Sequence, residues 1–355
     1  MSFRFWRRVR LAPGVTLNLS KSTASLSLGP PGAKYTISPR GDRATAGLTG
    51  TGLFYTVHDR MRAGRGGAAP APNVPQRDRL KLVFFQRLIM PANEQRFIDG
   101  IRALNEGDQT AALAALEGAH DLPDAAWMAG MIRLSREEFD PAKKHFRYAL
   151  SRLDDLGTLF AKYEIAAQAS LPITSDIFAH VFPRERGTRL ALVEIAQLEG
   201  RHDDAMTHTE RLMAIDPTDP VVVLSFAELA LDTPDDRALM DRVVRATAYV
   251  DNATPVDTAI LLYRGRALVA LGMPDAGIDV FTAANRRRKD RPDGLLRQIR
   301  YERAVLYDQV GRKAQARREF ERLYAEDPSF EDLRQRLGFV ATTAAPTATF
   351  SANQT

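Results

Sequence analysis

The chain contains no cysteine in 355 residues, which excludes disulfides, thiolate metal sites and thiol nucleophiles. It has only six histidines and two tryptophans. A long apolar run is also missing. The longest, residues 80–90 (LKLVFFQRLIM), is interrupted by Lys81, Gln86 and Arg87, whereas a membrane span needs about 20 apolar residues. Residues 1–11 are basic and aromatic with no apolar core behind them, so no secretory leader is legible. Together these absences lead to the expectation of a cytoplasmic protein.

Catalytic signatures are missing as well. No nucleophile elbow, Walker loop or dinucleotide fingerprint stands in a suitable context. His202-Asp203, with His180 upstream, loosely suggests a metal-dependent hydrolase. However, His202 follows the turn residue Gly200, and no helical histidine pair at zinc-like spacing accompanies it. His120, His145 and His208 read as helix-surface or packing residues. The expectation is a protein that is not an enzyme, with no catalytic residue, metal or cofactor.

What is present is unevenly distributed. Residues 1–66 carry eleven Lys/Arg against two Asp, a net +9, which leaves −4 for the rest of a chain whose total is +5. Such a split points to two modules with different tasks. Within residues 1–59, runs such as VTLNLS (15–20), ASLSL (24–28) and KYTIS (34–38) alternate apolar and polar residues. Gly/Pro clusters separate them, as in Gly29-Pro30-Pro31-Gly32 and Gly50-Thr51-Gly52. This is the pattern of a small all-β antiparallel meander.

The same segment carries a resemblance. Phe3-Arg4-Phe5, Pro13-Gly14-Val15, Leu17-Asn18-Leu19-Ser20-Lys21-Ser22, Ser25-Leu26-Ser27-Leu28-Gly29 and Gly47-Leu48 followed by Gly50-Thr51-Gly52-Leu53 and Tyr55 resemble a small bacterial domain of unknown function. Thr23 and Thr49 depart from the family pattern, which usually has Gly and Pro there. The resemblance implies a β-rich domain and no known activity. Its basic residues, Arg4, Arg7, Arg8, Arg10, Lys21 and Arg43, lie among Phe3, Phe5, Trp6, Tyr35, Phe54 and Tyr55. That mixture suits nucleic acid or an anionic surface. It suits still better a small sheet whose basic residues solubilise the polar face while the aromatics form its core.

Residues 60–79 (RMRAGRGGAAPAPNVPQRDR) offer little to bury and read as a flexible tether. The apolar segment 80–91 reads as a cap on the first end of a repeat stack, or as a partner-docking helix. The tail 341–355 (ATTAAPTATFSANQT) reads as disordered.

Residues 92–340 show helical periodicity with recurring small residues and turn glycines. Ala304, Gly311, Ala316, Phe320 and Pro328 mark one helix pair; Gly100, Gly107, Ala112 and Leu116 mark another. Gly130, Ala142 and Phe146, and Gly265, Gly272 and Phe281, mark two more, with a weaker copy at Gly200, Ala205 and Leu212. Residues 221–231 with 235–250 supply a further helix pair, and 156–169 with 171–182 an irregular one. These segments resemble tetratricopeptide repeats, whose small residues, turn glycines, aromatic and closing proline stand in matching places. The fold class expected is therefore a small all-β domain followed by an all-α solenoid of tetratricopeptide-like hairpins.

In such a stack the first helix of each pair lines a groove. Residues opposite the packing positions are then groove candidates: Phe97, Ile101, Trp127, Met131, Glu194, Gln197, Arg266, Tyr301 and Asp308. Each is as readily inter-repeat core. The resemblance also brings a known clamp for a peptide's terminal carboxylate, built from Lys, Asn and Arg. Trp127, Met131, Leu190 and Glu194 occupy those positions here, so no such clamp is expected. The run Arg286-Arg287-Arg288-Lys289-Asp290-Arg291 reads as a solvated helix end or as an anion site. The function expected is a non-catalytic scaffold or adaptor that binds a protein segment in the groove. The alternative is nucleic-acid or anionic-surface binding through residues 1–66 with the repeats recruiting partners.

Overall fold

The computed structural model describes residues 90–163 and 165–339. It also describes the backbone of five strands: Val15–Ser20 (β1), Thr23–Leu28 (β2), Ala33–Ile37 (β3), Arg43–Gly47 (β4) and Leu53–His58 (β5). Each is antiparallel to the next. The expected tether 60–79, nearly all of the segment 80–91 and the tail 341–355 lie outside the described residues. The chain divides into two compact units, Met1–Pro217 and Thr218–Thr355.

In the first unit, helices Ala92–Glu106 (α1) and Gln109–Gly118 (α2) form one antiparallel hairpin, and Pro123–Ser135 (α3) and Phe139–Ser151 (α4) a second. A short helix, Thr158–Lys162 (α5), leads to strands Ala166–Pro172 (β6) and Phe178–Val181 (β7). Helices Glu185–Leu198 (α6) and His202–Ile215 (α7) close the unit. The second unit repeats the plan with Pro220–Ala230 (α8) and Arg237–Ala246 (α9), then Pro255–Ala270 (α10) and Pro274–Asn285 (α11). Asp293–Gln309 (α12), Lys313–Glu326 (α13) and the single turn Leu333–Arg336 (α14) complete it. Both units contain antiparallel helical hairpins stacked in sequence.

Two local devices make these hairpins. The first is close approach of the paired helices. A Cβ added at Gly130 would lie 2.7 Å from the Phe146 ring, and one added at Gly265 would lie 2.2 Å from the Phe281 ring. The rings therefore occupy the space a side chain would need. Ala304 and Phe320 meet in the same way in one buried cluster with Ala316, Leu323 and Leu333. The second device is a left-handed residue seven positions further on. Gly107, Gly272 and Gly311 have φ of 82°, 84° and 81°, closing the first helix before the second begins. Glu137, seven residues after Gly130, takes the same conformation at φ 60°, where a side chain costs about 1–2 kcal/mol.

Helix starts are equally local. Asp108 accepts from the Thr110 and Ala111 N–H groups, and Asp219 caps α8 just ahead of Pro220. Thr254 and Asp257 form a reciprocal capping box before Pro255, which satisfies N–H groups that the helix itself cannot.

One expectation is corrected. Residues 166–181 are not part of a helix pair but a β-hairpin, with Ala169 opposite Val181, and β6 runs beside β5. Period-two burial explains it: Ala167, Ala169 and Leu171 are buried while Gln168 and Ser170 between them are half-buried. The Thr174 hydroxyl accepts from the Ile177 N–H at 3.2 Å, which forms the turn.

The insertion is tied back to the second hairpin by a buried carboxylate. Asp124, fully buried on α3, accepts from Gly157 N–H, from Leu159 N–H at 2.8 Å and from Phe160 N–H at 3.0 Å. It thereby supplies the missing cap of α5. Burial pushes its carboxyl above the usual range, against the pull of the three donors. The Phe160 ring then meets Phe97 and Trp127 edge-on at 5.4 and 6.4 Å.

Three outcomes follow for stability, each read by denaturant midpoint. Gly265→Ala should lose about 1–3 kcal/mol to overpacking against Phe281, although an exposed mid-helix Gly→Ala usually gains about 1 kcal/mol. Glu137→Gly should gain up to about 1 kcal/mol by relieving the left-handed strain. Asp124→Ala should lose at least about 1–3 kcal/mol, since it leaves buried N–H donors without acceptors. Unchanged midpoints in the first and third variants would contradict the packing and capping roles.

Candidate functional site

The second unit holds a cavity of about 430 Å³ formed chiefly by α10 and α12. Arg266, Val269 and Ala270 contribute from α10, and Glu302, Val305, Leu306 and Gln309 from α12. Spacings of three and four place each set on a single helix face. The cavity adjoins the hairpin seam: Phe281, the ring packed against Gly265, also lines it, and a Cβ added at Gly277 of α11 would lie 2.8 Å from Val269 and 3.3 Å from Leu306. Leu231 and Pro234, just beyond α8, form one wall; Tyr301 and Arg336 form another.

Its charges are satisfied internally. The Arg266 guanidinium donates through Nε to both Glu302 carboxylate oxygens, at 2.9 and 3.0 Å, and through Nη2 to Oε1. It also lies 5.0 Å above the Tyr263 ring. Burial opposes the charge on Arg266, but Glu302 and Tyr263 more than offset it and raise its pKa further. Gln298 donates to Glu302 at 2.9 Å and holds the acceptor in place.

A second knot closes the other wall. The Tyr301 hydroxyl donates to Asp332 Oδ1 at 2.6 Å, and Arg336 Nε donates to the same oxygen at 2.7 Å. Burial first, then the bond to Asp332, pushes the Tyr301 hydroxyl up to about 12. Burial works to raise the Asp332 carboxyl, but Tyr301 and Arg336 hold it below its ordinary value. The guanidinium of Arg336 covers the Phe320 and Tyr301 rings at 5.4 and 5.6 Å. With both ion pairs closed, the cavity presents mainly the side chains of Val269, Ala270, Val305 and Leu306. It is suited to receiving an apolar group, with a polar margin at Gln309.

The sequence-nominated residues separate sharply. Arg266 and Tyr301 line the cavity, and Asp308, beside Gln309, pairs with Lys313 at 2.9 Å. Phe97, Ile101, Trp127 and Met131 are buried core. Their assignment to an accessible groove is corrected, because the α5 insertion and neighbouring helices cover that face. Trp127 Nε1 is buried without a hydrogen-bond partner among the described residues. Glu194 is buried as well and Gln197 half-buried. The positions assigned to packing are where the helices meet: Gly100 against Leu116, Gly130 against Phe146, Gly265 against Phe281, with Ala112, Ala142, Ala304, Ala316 and Phe320 buried. Arg4, Arg7, Arg8, Arg10 and Lys21 lie outside the residues whose side chains are described, as does the side chain of Arg43 in β4.

Glu302, Val305, Gln309 and Arg336 were not nominated. The signal for the first three was available, since each lies one to eight residues from Tyr301 on the same helix. Arg336 reaches the site from a turn whose folding back the sequence does not announce. Arg286 and Arg287 are exposed just past α11 and, with Arg264, line another cavity of about 430 Å³ that also contains Asp251 and Asp279. Among the described residues no group of three or more His, Asp or Glu is placed to hold a metal ion. None of the described helices is long and apolar enough to cross a membrane.

Comparisons with known proteins complete the description. Solved structures similar to this chain include the N-terminal domain of the EccA1 ATPase from the ESX-1 secretion system of Mycobacterium tuberculosis. It is 15% identical over 69% of this chain and 88% of that one, with a TM-score of 0.49. PilW, a type IV pilus biogenesis factor, is 16% identical over 70% and 99%, with a TM-score of 0.43. A tetratricopeptide repeat protein from Parabacteroides merdae is 13% identical over 69% and 97%, with a TM-score of 0.33. Likenesses at this level say nothing of what the chain binds. No curated protein matches the chain. Residues 3–56 match a family whose description is "Protein of unknown function (DUF4236)".

Proposed function

We propose that the chain is a non-catalytic scaffold or adaptor whose second unit binds a segment of another protein in the α10–α12 groove. One observation carries this reading: the cavity is apolar in its walls while its charged groups, Arg266 with Glu302 and Arg336 with Asp332, are already paired. A catalytic site needs an acid, base or nucleophile free to act on a substrate. A docking groove needs an apolar floor and a satisfied polar rim. In this reading protein segments are the partners of the repeats.

The groove is tested in cells of the source organism with a photo-crosslinking amino acid at Gln309 of the full chain. Cross-linking to one or a few defined proteins is expected, and Val305→Arg should abolish it while leaving the melting temperature within a few degrees. Cross-links that persist unchanged in Val305→Arg would overturn the reading, as would a complete absence of protein adducts.

The net +9 of residues 1–66 favours a second reading, in which this segment holds the scaffold on nucleic acid or another anionic surface. Phosphate contacts release counterions, so such affinity falls steeply with salt. The full chain should retain DNA or RNA on a filter at 50 mM salt and release most of it by about 200 mM. Replacing Arg4, Arg7, Arg8 and Arg10 by Ala should remove the retention. Negligible retention at low salt would eliminate this reading.

A further inference from the structure

The other cavity of the second unit differs in kind from the groove. It lies between the loop 250–252, α10 and α11, and shares no lining residue with the first. Leu261 and Arg264 enter it from the side of α10 roughly opposite Arg266 and Ala270. Asp279, Ala283 and Arg286 follow one another at spacings of four and three along α11, and Arg287 comes next. Its floor is apolar, made by Val250, Leu261, Val280 and Ala283.

Basic residues at the end of a helix ordinarily answer its last carbonyls. Here that task is already taken. Asn252, itself buried, donates through Nδ2 to the Ala283 and Ala284 carbonyls, both at 3.0 Å, and its Oδ1 accepts from the Thr258 hydroxyl. Arg291 locks this knot by donating to Thr258 Oγ1 at 2.6 Å and to the Asn252 carbonyl at 3.0 Å. Arg286 and Arg287 are exposed, and among the described residues neither side chain forms an ion pair or a hydrogen bond. The same holds for Arg288 and Lys289 beside them. Arg264 uses Nη1 on the Thr247 and Ala248 carbonyls, while its Nε is buried without an acceptor.

Carboxylates are present but do not cancel this charge. Asp251 and Asp279 line the cavity, yet among the described residues neither is ion-paired. With the turn after α11 included, Arg264, Arg286, Arg287, Arg288, Lys289 and Arg291 stand against Asp251, Asp279 and Asp290, a formal excess of +3.

We propose that this cavity binds a phosphoryl group. A guanidinium is a planar fork of donors that matches the edge of an oxyanion, and Arg264, Arg286 and Arg287 together can serve three terminal oxygens. A carboxylate offers only two. A phosphomonoester also carries close to two charges at neutral pH, so it draws about twice the attraction of a carboxylate from the same cations. The apolar floor takes the body that bears the phosphate. That body is either a phosphorylated side chain or a small phosphorylated molecule, since the recognised chemistry is the same. The site is independent of the reading given for the α10–α12 groove.

The test uses the full chain, with two probes. Inorganic phosphate is titrated by calorimetry, and a fluorescein-labelled 12-residue peptide with one central phosphoserine is followed by anisotropy. The phosphoserine peptide should bind at least about tenfold more tightly than the same peptide with Ser or Glu at that position. Arg286→Ala combined with Arg287→Ala, two exposed changes, should weaken binding by about tenfold or more. Asp279→Asn removes a like charge and should tighten it several-fold. Replacing Arg4, Arg7, Arg8 and Arg10 by Ala should leave it unchanged, as should Val305→Arg, which separates this site from the basic N-terminal residues and from the groove. Melting curves check that each variant remains folded.

Inorganic phosphate binding as tightly as the peptide assigns the site to small phosphates, and a clearly tighter peptide assigns it to phosphorylated side chains; both uphold phosphoryl recognition. A phosphoserine peptide no tighter than its Ser or Glu counterpart, with no heat from inorganic phosphate, overturns the proposal. Binding that survives the double Arg286 and Arg287 replacement unchanged overturns it too, as does no binding of either probe.

Discussion

Everything in the described helical region depends on how closely two helices of a hairpin approach. Where Gly130 faces Phe146 and Gly265 faces Phe281, the aromatic ring of the second helix occupies the volume that a side chain on the first would need. The contact fixes the rotation of both helices at once. Each first helix turns its small residue inward, so its opposite face is settled before any neighbour is added. In the second unit the flanking faces carry Arg266 on α10 and Glu302 on α12, 36 residues apart. The ion pair is a consequence of the seam, and the cavity is a consequence of both.

This dependence explains which parts of the molecule could be read from residue order. Small residues, turn glycines and the facing aromatics are local signals, and Gly100, Gly130, Gly265 and Ala304 each lie where a helix meets its partner. The same spacing nominates Arg266 and Tyr301, which line the cavity, although Tyr301 also packs on the Ala304–Phe320 cluster. It fails for Phe97, Ile101, Trp127 and Met131, because spacing specifies a face but not what covers it. Their face is covered by Phe160 and its surroundings, which arrive with the insertion after α4. The insertion was not legible: Ala-rich residues 166–171 are compatible with a helix, and pairing with β5 and β7 selects the strand. Arg336 was equally illegible, since it reaches the cavity through the Tyr301–Asp332 knot.

The two units also differ in how they use aromatic residues. In the first, Phe97, Trp127 and Phe160 are packed edge to face and sealed from solvent. In the second, Tyr263, Tyr301 and Phe320 lie beneath the guanidinium groups of Arg266 and Arg336. A planar cation over a ring is satisfied on its face by the π-system and at its edge by a carboxylate. This allows charged residues to line an apolar cavity without demanding water. The groove is therefore pre-formed, and a ligand entering it need not displace strongly hydrated charges.

The carboxylate of Asp124 has a consequence for how the molecule may be divided. Hairpins of this class look like interchangeable units, and α3 with α4 has the outline of one. Yet the acceptor buried in α3 finds its donors at Gly157, Leu159 and Phe160, beyond the end of that hairpin. A fragment ending after α4 would strand a buried carboxylate, which costs several kcal/mol unless water or a proton reaches it. The smallest cuttable piece thus extends at least through α5, and a shuffled copy of the hairpin alone would carry its own defect with it.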